Sequence, residues 1–191
     1  MIEKGKISQE PFIGILKTLE EAESANLVDW NAMNIASVDQ MNQPSSRMVL
    51  LKKISDDGLV FYTNYNSRKG KEIKLNPKVA VNFWWRELKK QIRVEGFIEK
   101  ASEEDSDDYF YSRPLKSRVS AIISNQSSKI SSYEDLTNQI DNYLEQNDES
   151  SIKRPDHCGL YIITPNAVEF WLERDNRTHE RLKYILSDSQ K

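Results

Sequence analysis

Residues 47–71, RMVLLKKISDDGLVFYTNYNSRKGK, decide the fold of this 191-residue chain. Two runs typical of β-strands, residues 48–51 and 59–63, flank the turn signal at residues 55–58. This arrangement predicts a β-hairpin. Ser67 is a suitable N-cap for a short helix that follows the second strand and ends at about Leu75, before Asn-Pro.

The junction between the second strand and this helix is a candidate anion site. Free N–H groups, the helix dipole and the cations of Arg68 and Lys69 all favour a phosphate there. Hydrogen-bonding residues are interleaved with the cations: Tyr62, Thr63, Asn64 and Ser67. The alternative is that the cations simply face water. Arg47 and Lys52 add positive charge, but an ideal strand points them to opposite faces, so either a bulge intervenes or the lysine reaches around a strand end.

The composition predicts one ordered domain over residues 1–191, with a flexible segment at residues 1–8 and a short tail at residues 186–191. Hydrophobic residues make up 38% and charged residues 30% of the chain. The net charge of −3 and the isoelectric point near 5.6 argue against a nucleic-acid-binding protein, which needs a broad positive surface. We therefore interpret the basic residues as local binding groups.

The cysteine and histidine content argues against disulfides and metal sites. A lone Cys158 cannot form an intrachain disulfide, which fits a reducing compartment, and two histidines without a second cysteine give no metal-ligand spacing. The sequence shows neither a signal peptide nor an apolar run of membrane-spanning length. We expect a cytoplasmic protein that binds neither membrane nor metal.

The remaining elements suggest an antiparallel meander that closes toward a barrel, surrounded by helices. The pattern predicts helices at residues 9–26, 102–113, 115–123 and 132–146. It predicts further strands at residues 33–38, 78–85, 91–100, 159–164 and 167–172, with a turn at residues 165–166 between the last two.

Two further groups of residues could bind anions. Tyr109 and Arg113 lie four apart on one predicted helix, with Ser117 just beyond, so they could converge on a second phosphate or form only a surface stack. If residues 177–181 are extended, Arg177, His179 and Arg181 project from one side. Two cations beside an imidazole require a bound anion, or neutralisation by Glu173 or Glu180.

Seven segments, in order along the chain, resemble the pyridoxine/pyridoxamine 5′-phosphate oxidase family. They are RMVLLK (47–52), FYTN (61–64), SRK (67–69), YFYSRP (109–114), QSS (126–128), VEFW (168–171) and RTHER (177–181). The resemblance implies an α+β, mainly β fold: an FMN-binding split β-barrel with surrounding helices. It also implies a homodimer with FMN at the subunit interface.

The resemblance also implies site residues. Those for FMN are Arg47, Lys52, Tyr62, Thr63, Ser67, Arg68, Lys69, Gln91, Gln126, Ser127, Trp171 and Arg181, with Gln126 and Ser127 reaching in from the other subunit. Those for the substrate are Lys52, Tyr109, Arg113 and Ser117 on its phosphate, with Arg177 and His179 as catalytic residues over its pyridine ring.

The implied reaction is FMN-dependent oxidation of pyridoxamine or pyridoxine 5′-phosphate to pyridoxal 5′-phosphate, with O₂ reduced to H₂O₂. Two alternatives remain open. One is a related split-barrel flavin oxidase of the phenazine-pathway type, acting on another small aromatic compound. The other is a non-catalytic protein that carries FMN or pyridoxal phosphate.

Overall fold

The computed structural model describes residues 2–186. Within them lie eight strands and five α-helices. The strands are β1 (Glu3–Lys4), β2 (Ala32–Val38), β3 (Pro44–Ser55), β4 (Gly58–Asn64), β5 (Lys78–Trp85), β6 (Lys90–Lys100), β7 (Cys158–Leu172) and β8 (Glu180–Ile185). The helices are α1 (Glu10–Ser24), α2 (Arg68–Leu75), α3 (Glu103–Ser112), α4 (Leu115–Ile123) and α5 (Tyr133–Gln146).

Six strands close into an antiparallel barrel. They follow the order β3-β2-β5-β6-β7-β4, and β3 pairs again with β4 to complete the circle. Along β5 and β6 the residues alternate between buried and exposed, as expected where one face lines a packed interior. Phe61, Phe83 and Ile92 are among the fully buried side chains of this core. The mainly β barrel predicted from the sequence is therefore confirmed.

The predicted hairpin is confirmed as β3 and β4, and its bulge resolves the question of which way Arg47 and Lys52 point. Leu51 pairs with Phe61 and Lys53 with Val60, so Lys52 is an extra residue in the ladder. The turn requires glycine at Gly58, which has φ of 147°. A Cβ there would come within 2.1 Å of the Ile163 carbonyl oxygen.

Predicted helix starts are confirmed where a serine caps the helix. Ser67 Oγ accepts a hydrogen bond from the Gly70 N–H at 3.3 Å, and Ser102 and Ser132 cap α3 and α5 in the same way. Helices α3, α4 and α5 pack around a small second core, while α1 covers the barrel. The second core contains Phe110, Val119, Ile140 and Ile152.

The predicted turn at residues 165–166 is wrong, because β7 continues through it. Both halves of β7 pair with the same strand, from Tyr161 opposite Lys100 to Leu172 opposite Lys90. The register shifts beside Gly96, which pairs with Pro165. Proline is tolerated in such a bulge because no ladder hydrogen bond is required from its nitrogen.

Part of the segment expected to be flexible, residues 1–8, is held against the barrel. Strand β1 pairs in parallel with β3, opposite Lys53 and Ile54, and Asp56 accepts hydrogen bonds from the backbone N–H groups of Ser8 and Gln9. Of the predicted tail, only Leu186 lies within the described residues. No helix among residues 2–186 is both long enough and apolar enough to cross a bilayer.

Candidate functional site

A buried cation lies at the N-terminus of α2. Lys69 is 6% exposed, and its Nζ donates to Gln126 Oε1 at 2.7 Å and to Ser67 Oγ at 3.1 Å. Burial, with a contribution from Arg47, lowers the pKa of Lys69 to about 8. Among residues 2–186 no carboxylate pairs with it. A buried ammonium with neutral partners beside a helix N-terminus is well placed to receive an anion.

Two arginines flank this lysine and share one buried carboxylate. Glu72 Oε2 accepts from Arg47 Nη2 at 3.0 Å, and its Oε1 accepts from Arg68 Nε at 2.8 Å. Burial alone would raise the pKa of Glu72, but hydrogen bonds from Ser37, Ser45 and the two arginines outweigh it and hold the pKa at about 2. Glu72 is therefore ionised across the physiological range.

Sequence reasoning missed this carboxylate and its two serines. The i, i+4 spacing of Arg68 and Glu72 on α2 is a signal that could have revealed the carboxylate. Ser37 and Ser45 carry no such signal, since they come from β2 and β3 and are brought together by strand pairing.

Gln126 and Ser127 belong to the same chain's pocket, which corrects the expectation that they reach in from the other subunit. Gln126 contacts Lys69, and Ser127 Oγ accepts from the Arg68 backbone N–H at 3.2 Å. The loop that follows α4 is short and contacts the start of α2. Beside it opens a cavity of about 480 Å³, lined in part by Arg68, Glu72, Gln126 and Ser127.

A second cluster combines β4 with α3 and the bulge of β3. The rings of Tyr62 and Tyr109 lie 5.0 Å apart, the Arg113 guanidinium carbon lies 4.9 Å from the Tyr62 ring, and Lys52 Nζ lies 5.8 Å from the Tyr109 ring. Ser117 is half-buried in the first turn of α4. The structure thus brings Lys52, Tyr109 and Arg113 together around Tyr62.

Two polar atoms of this second cluster are buried and unpaired among residues 2–186. Arg113 Nη1 and Tyr62 Oη are buried without a hydrogen-bond partner in the part of the chain that the structure describes. Burial raises the pKa of Tyr62, so the phenol keeps its proton and remains a donor. Because unpaired buried donors are costly, an oxyanion that accepts from both would stabilise the cluster.

A third cluster lies at the far end of β7. Trp171 pairs across the sheet with Gln91 on one side and Arg181 on the other. The His179 ring lies 4.6 Å from the Trp171 ring, and the Arg174 backbone N–H donates to His179 Nδ1 at 3.3 Å. This indole and imidazole form a partly exposed aromatic surface.

Residues 177–181 are not extended throughout, so Arg177, His179 and Arg181 do not form a single row. Asn176 and Arg177 have φ of 55° and 62°, so the chain turns at residues 175–177 and β8 begins only at Glu180. The turn is needed because β8 must reverse direction to pair with β7. Glu180 pairs with Arg174 at 2.8 Å.

The first and third clusters lie at opposite ends of β7. Thr63 pairs with Gly159, and Trp171 follows twelve residues later along the same strand. At about 3.3 Å per residue this separation is up to about 40 Å of strand. The Lys69 pocket and Trp171 therefore lie toward opposite ends of β7.

Comparisons with known sequences identify the family. Residues 19–146 match the family model described as pyridoxamine 5′-phosphate oxidase, and residues 159–191 match the model described as the pyridoxine 5′-phosphate oxidase C-terminal dimerisation region. The chain belongs to the pyridoxamine 5′-phosphate oxidase family. The resemblance predicted from the sequence is confirmed.

Similar members of the pyridoxamine 5′-phosphate oxidase family span most of this chain. A pyridoxine/pyridoxamine 5′-phosphate oxidase of Nostoc sp. (strain PCC 7120) is 46% identical over 181 residues, covering 95% of this chain and 85% of the relative. Pyridoxine/pyridoxamine 5′-phosphate oxidase 2 of Hydrogenovibrio crunogenus is 41% identical over 189 residues, covering 99% and 89%.

Solved structures show the same fold and some diversity of ligands. PhzG from Burkholderia lata 383, in complex with tetrahydrophenazine-1-carboxylic acid, superposes with a TM-score of 0.88 at 26% identity, covering 95% of this chain and 89% of PhzG. A pyridoxamine 5′-phosphate oxidase-related FMN-binding protein from Nostoc punctiforme gives a TM-score of 0.76 at 15% identity, covering 96% and 95%, and shows the fold alone.

The dimerisation region of this family member adjoins an apolar outer face of the barrel. Met48, Leu50 and Trp84 are 60%, 39% and 46% exposed. Met48 and Asn82 both pair with Asn34 of β2, and Asn82 Oδ1 is buried without a hydrogen-bond partner in the described part of the chain. Apolar exposure of this kind is typical of a protein interface. Together with the matched C-terminal region, it supports a homodimer.

Proposed function

We propose that this protein is an FMN-dependent oxidase that converts pyridoxamine or pyridoxine 5′-phosphate to pyridoxal 5′-phosphate, with O₂ reduced to H₂O₂. The observation that carries the proposal is the pair of cationic clusters, one around Lys69 and one around Arg113, each suited to a phosphate. A flavin and a phosphorylated substrate need two such sites. The buried, lone Cys158 supports a reducing cytoplasm as the location.

The residues around the start of α2 fit the phosphate of FMN. Lys69 is buried with only neutral partners, and Arg47 and Arg68 approach the same pocket. The remaining ligands on this side would be Lys52, Tyr62, Thr63, Ser67, Gln126 and Ser127. When bound, FMN supplies the two-electron acceptor, and the protein supplies position and charge.

The ring of the flavin would be held by a second copy of the chain. Gln91, Trp171 and Arg181 lie on one row of paired strands, at the opposite end of β7 from the phosphate pocket. A homodimer can place this row of one copy beside Lys69 of the other, which makes two equivalent sites. The location of the two groups at opposite ends of β7 supports this arrangement.

Lys52, Tyr109, Arg113 and Ser117 would hold the phosphate of the substrate. Arg113 Nη1 and Tyr62 Oη lack partners among residues 2–186, so phosphate oxygens would complete their hydrogen bonds. This anchoring fixes the carbon to be oxidised at one position, which contributes to rate by orientation. Arg177 and His179 would orient the pyridine ring, and His179 is already placed against Trp171.

A second candidate function is oxidation of a tricyclic aromatic acid. The similarity to PhzG, which was crystallised with tetrahydrophenazine-1-carboxylic acid, favours it. However, a site that uses Lys52, Arg113 and the Tyr62 phenol is matched to the several acceptor oxygens of a phosphate. A non-catalytic carrier of FMN or pyridoxal phosphate would need the same residues and differs only in lacking turnover.

One anaerobic experiment separates the three functions. The purified protein, loaded with FMN, is mixed without oxygen with pyridoxamine 5′-phosphate, with unphosphorylated pyridoxamine or with tetrahydrophenazine-1-carboxylic acid. Oxidised flavin absorbs at about 450 nm. We expect this absorbance to bleach fastest with the phosphorylated amine. Bleaching only by the tricyclic acid would favour the second candidate, and a stable oxidised spectrum with all three would reject an oxidase.

A further inference from the structure

We propose that Glu72 is a positioning residue of the flavin-phosphate pocket, holding Arg47 and Arg68 in place for the phosphate. Neither the family resemblance nor the comparisons assign it a role. The inference rests on the proposed function, because it concerns the pocket that would hold the phosphate of FMN.

The first support is the number and direction of contacts to Glu72. The residue is 3% exposed, and four side chains donate to its two carboxylate oxygens. Ser37 Oγ lies at 2.6 Å, Ser45 Oγ at 2.7 Å, Arg47 Nη2 at 3.0 Å and Arg68 Nε at 2.8 Å. These donors come from β2, β3 and α2, so Glu72 ties together three elements around the pocket.

The second support is that the serines hold the same arginine. Ser37 Oγ accepts from Arg47 Nη1 and Ser45 Oγ accepts from Arg47 Nη2, while both hydroxyls donate to Glu72. The Arg47 guanidinium is thus held at two nitrogens and cannot rotate freely. A planar guanidinium fixed in this way is suited to directed contact with an oxyanion.

The third support is the balance of charge. Arg47, Arg68 and Lys69 carry three positive charges when protonated, and Glu72 carries one negative charge. The remainder of two matches a phosphate dianion. In the absence of ligand, Glu72 also reduces the repulsion between cations in the pocket, which keeps the pocket formed before the phosphate arrives.

A purely structural carboxylate would affect every flavin equally, whereas a positioning residue affects only those with a phosphate. Apo-protein of the full chain is titrated with FMN and with riboflavin, which lacks the phosphate, and the quenching of flavin fluorescence gives both Kd values. For Glu72→Gln we expect the Kd of FMN to rise at least about tenfold. The Kd of riboflavin should change less than about twofold, because its contacts are untouched.

Two other variants keep the test decisive. Ser45→Ala leaves the carboxylate in place but removes a donor to Glu72 and an acceptor for Arg47. It should raise the Kd of FMN about twofold to fivefold, and it provides the test if Glu72→Gln does not fold. Glu20→Gln, which breaks the exposed pair with Lys4, should change neither Kd.

The outcomes separate the inference from the proposed function. If Glu72→Gln and Ser45→Ala keep the wild-type ratio of the two Kd values, or bind FMN more tightly because a negative charge is gone or weakened, the inference is overturned. If wild-type protein binds FMN no more tightly than riboflavin, the phosphate pocket itself is wrong and both proposals are overturned.

Discussion

The ionisation of Lys69 should make FMN binding depend on pH in the alkaline range. Burial lowers the pKa of this ammonium to about 8, whereas a free lysine titrates near 10.5. A bound phosphate dianion would favour the charged form and raise the pKa again. The folded apo-protein therefore loses the Lys69 charge as pH rises through about 8, and FMN binding must then take up a proton.

The size of the effect follows from these two values. If the bound phosphate restores the ordinary lysine pKa near 10.5, starting from about 8 in the apo-protein, the apparent Kd should rise about 30-fold between pH 7 and pH 9.5. Below pH 7 the lysine is charged in both states, so its contribution to the pH dependence should vanish there. The second ionisation of the phosphate, near pH 6, lies outside this window.

The measurement is a fluorescence titration of apo-protein with FMN at half-unit steps from pH 7 to pH 9.5. Riboflavin serves as the comparison ligand and should show a flat profile. Lys69→Met should bind FMN weakly at pH 7 and lose the slope, and Lys69→Arg should bind FMN without the slope because arginine stays charged. A wild-type profile that is flat over this range would refute the role of Lys69 in binding the phosphate.

Two further predictions test the substrate clamp and the shared site. Arg113→Ala should raise the KM for pyridoxamine 5′-phosphate about 10-fold to 150-fold in steady-state kinetics, with a smaller change in kcat. The reason is the loss of a charge-assisted contact worth about 1.5–3 kcal/mol. An unchanged KM would mean that Arg113 does not bind the substrate phosphate. Lys69→Met and Trp171→Ala should each be nearly inactive, but dissociating and mixing them should restore about a quarter of wild-type activity, because half the dimers are mixed and each holds one intact site. No recovery in mixed dimers verified by mass would place both residues in one chain's site.

Short-range patterns predicted much of the local structure. Ser67, Ser102 and Ser132 stand at helix starts because a hydroxyl in the N-cap position satisfies a free backbone N–H within three residues. The hairpin of β3 and β4 follows from two apolar runs that flank a turn at Gly58. Such features depend on neighbours in sequence, so they are readable without a structure.

Long-range packing decided the features that the sequence left open or misread. Pro165 was predicted to lie in a turn, yet the strand is continuous because both halves of β7 pair with β6. The sequence left open whether residues 177–181 are extended, and the return of β8 to β7 required a turn at Asn176. Gln126 was expected to reach into the FMN site of the other subunit, yet the loop after α4 places it against Lys69 of its own chain.

By itself the sequence determined the family, the hairpin, the capped helices and the concentration of cations near Ser67. Only the tertiary structure decided how those cations are held, because Glu72 meets Ser37 and Ser45 through pairing of strands that lie about 30 residues away along the chain. It also decided that Trp171 and the Lys69 pocket lie toward opposite ends of β7. The physical reason is that residue types report local chemistry, whereas strand register and barrel closure set distances between remote residues.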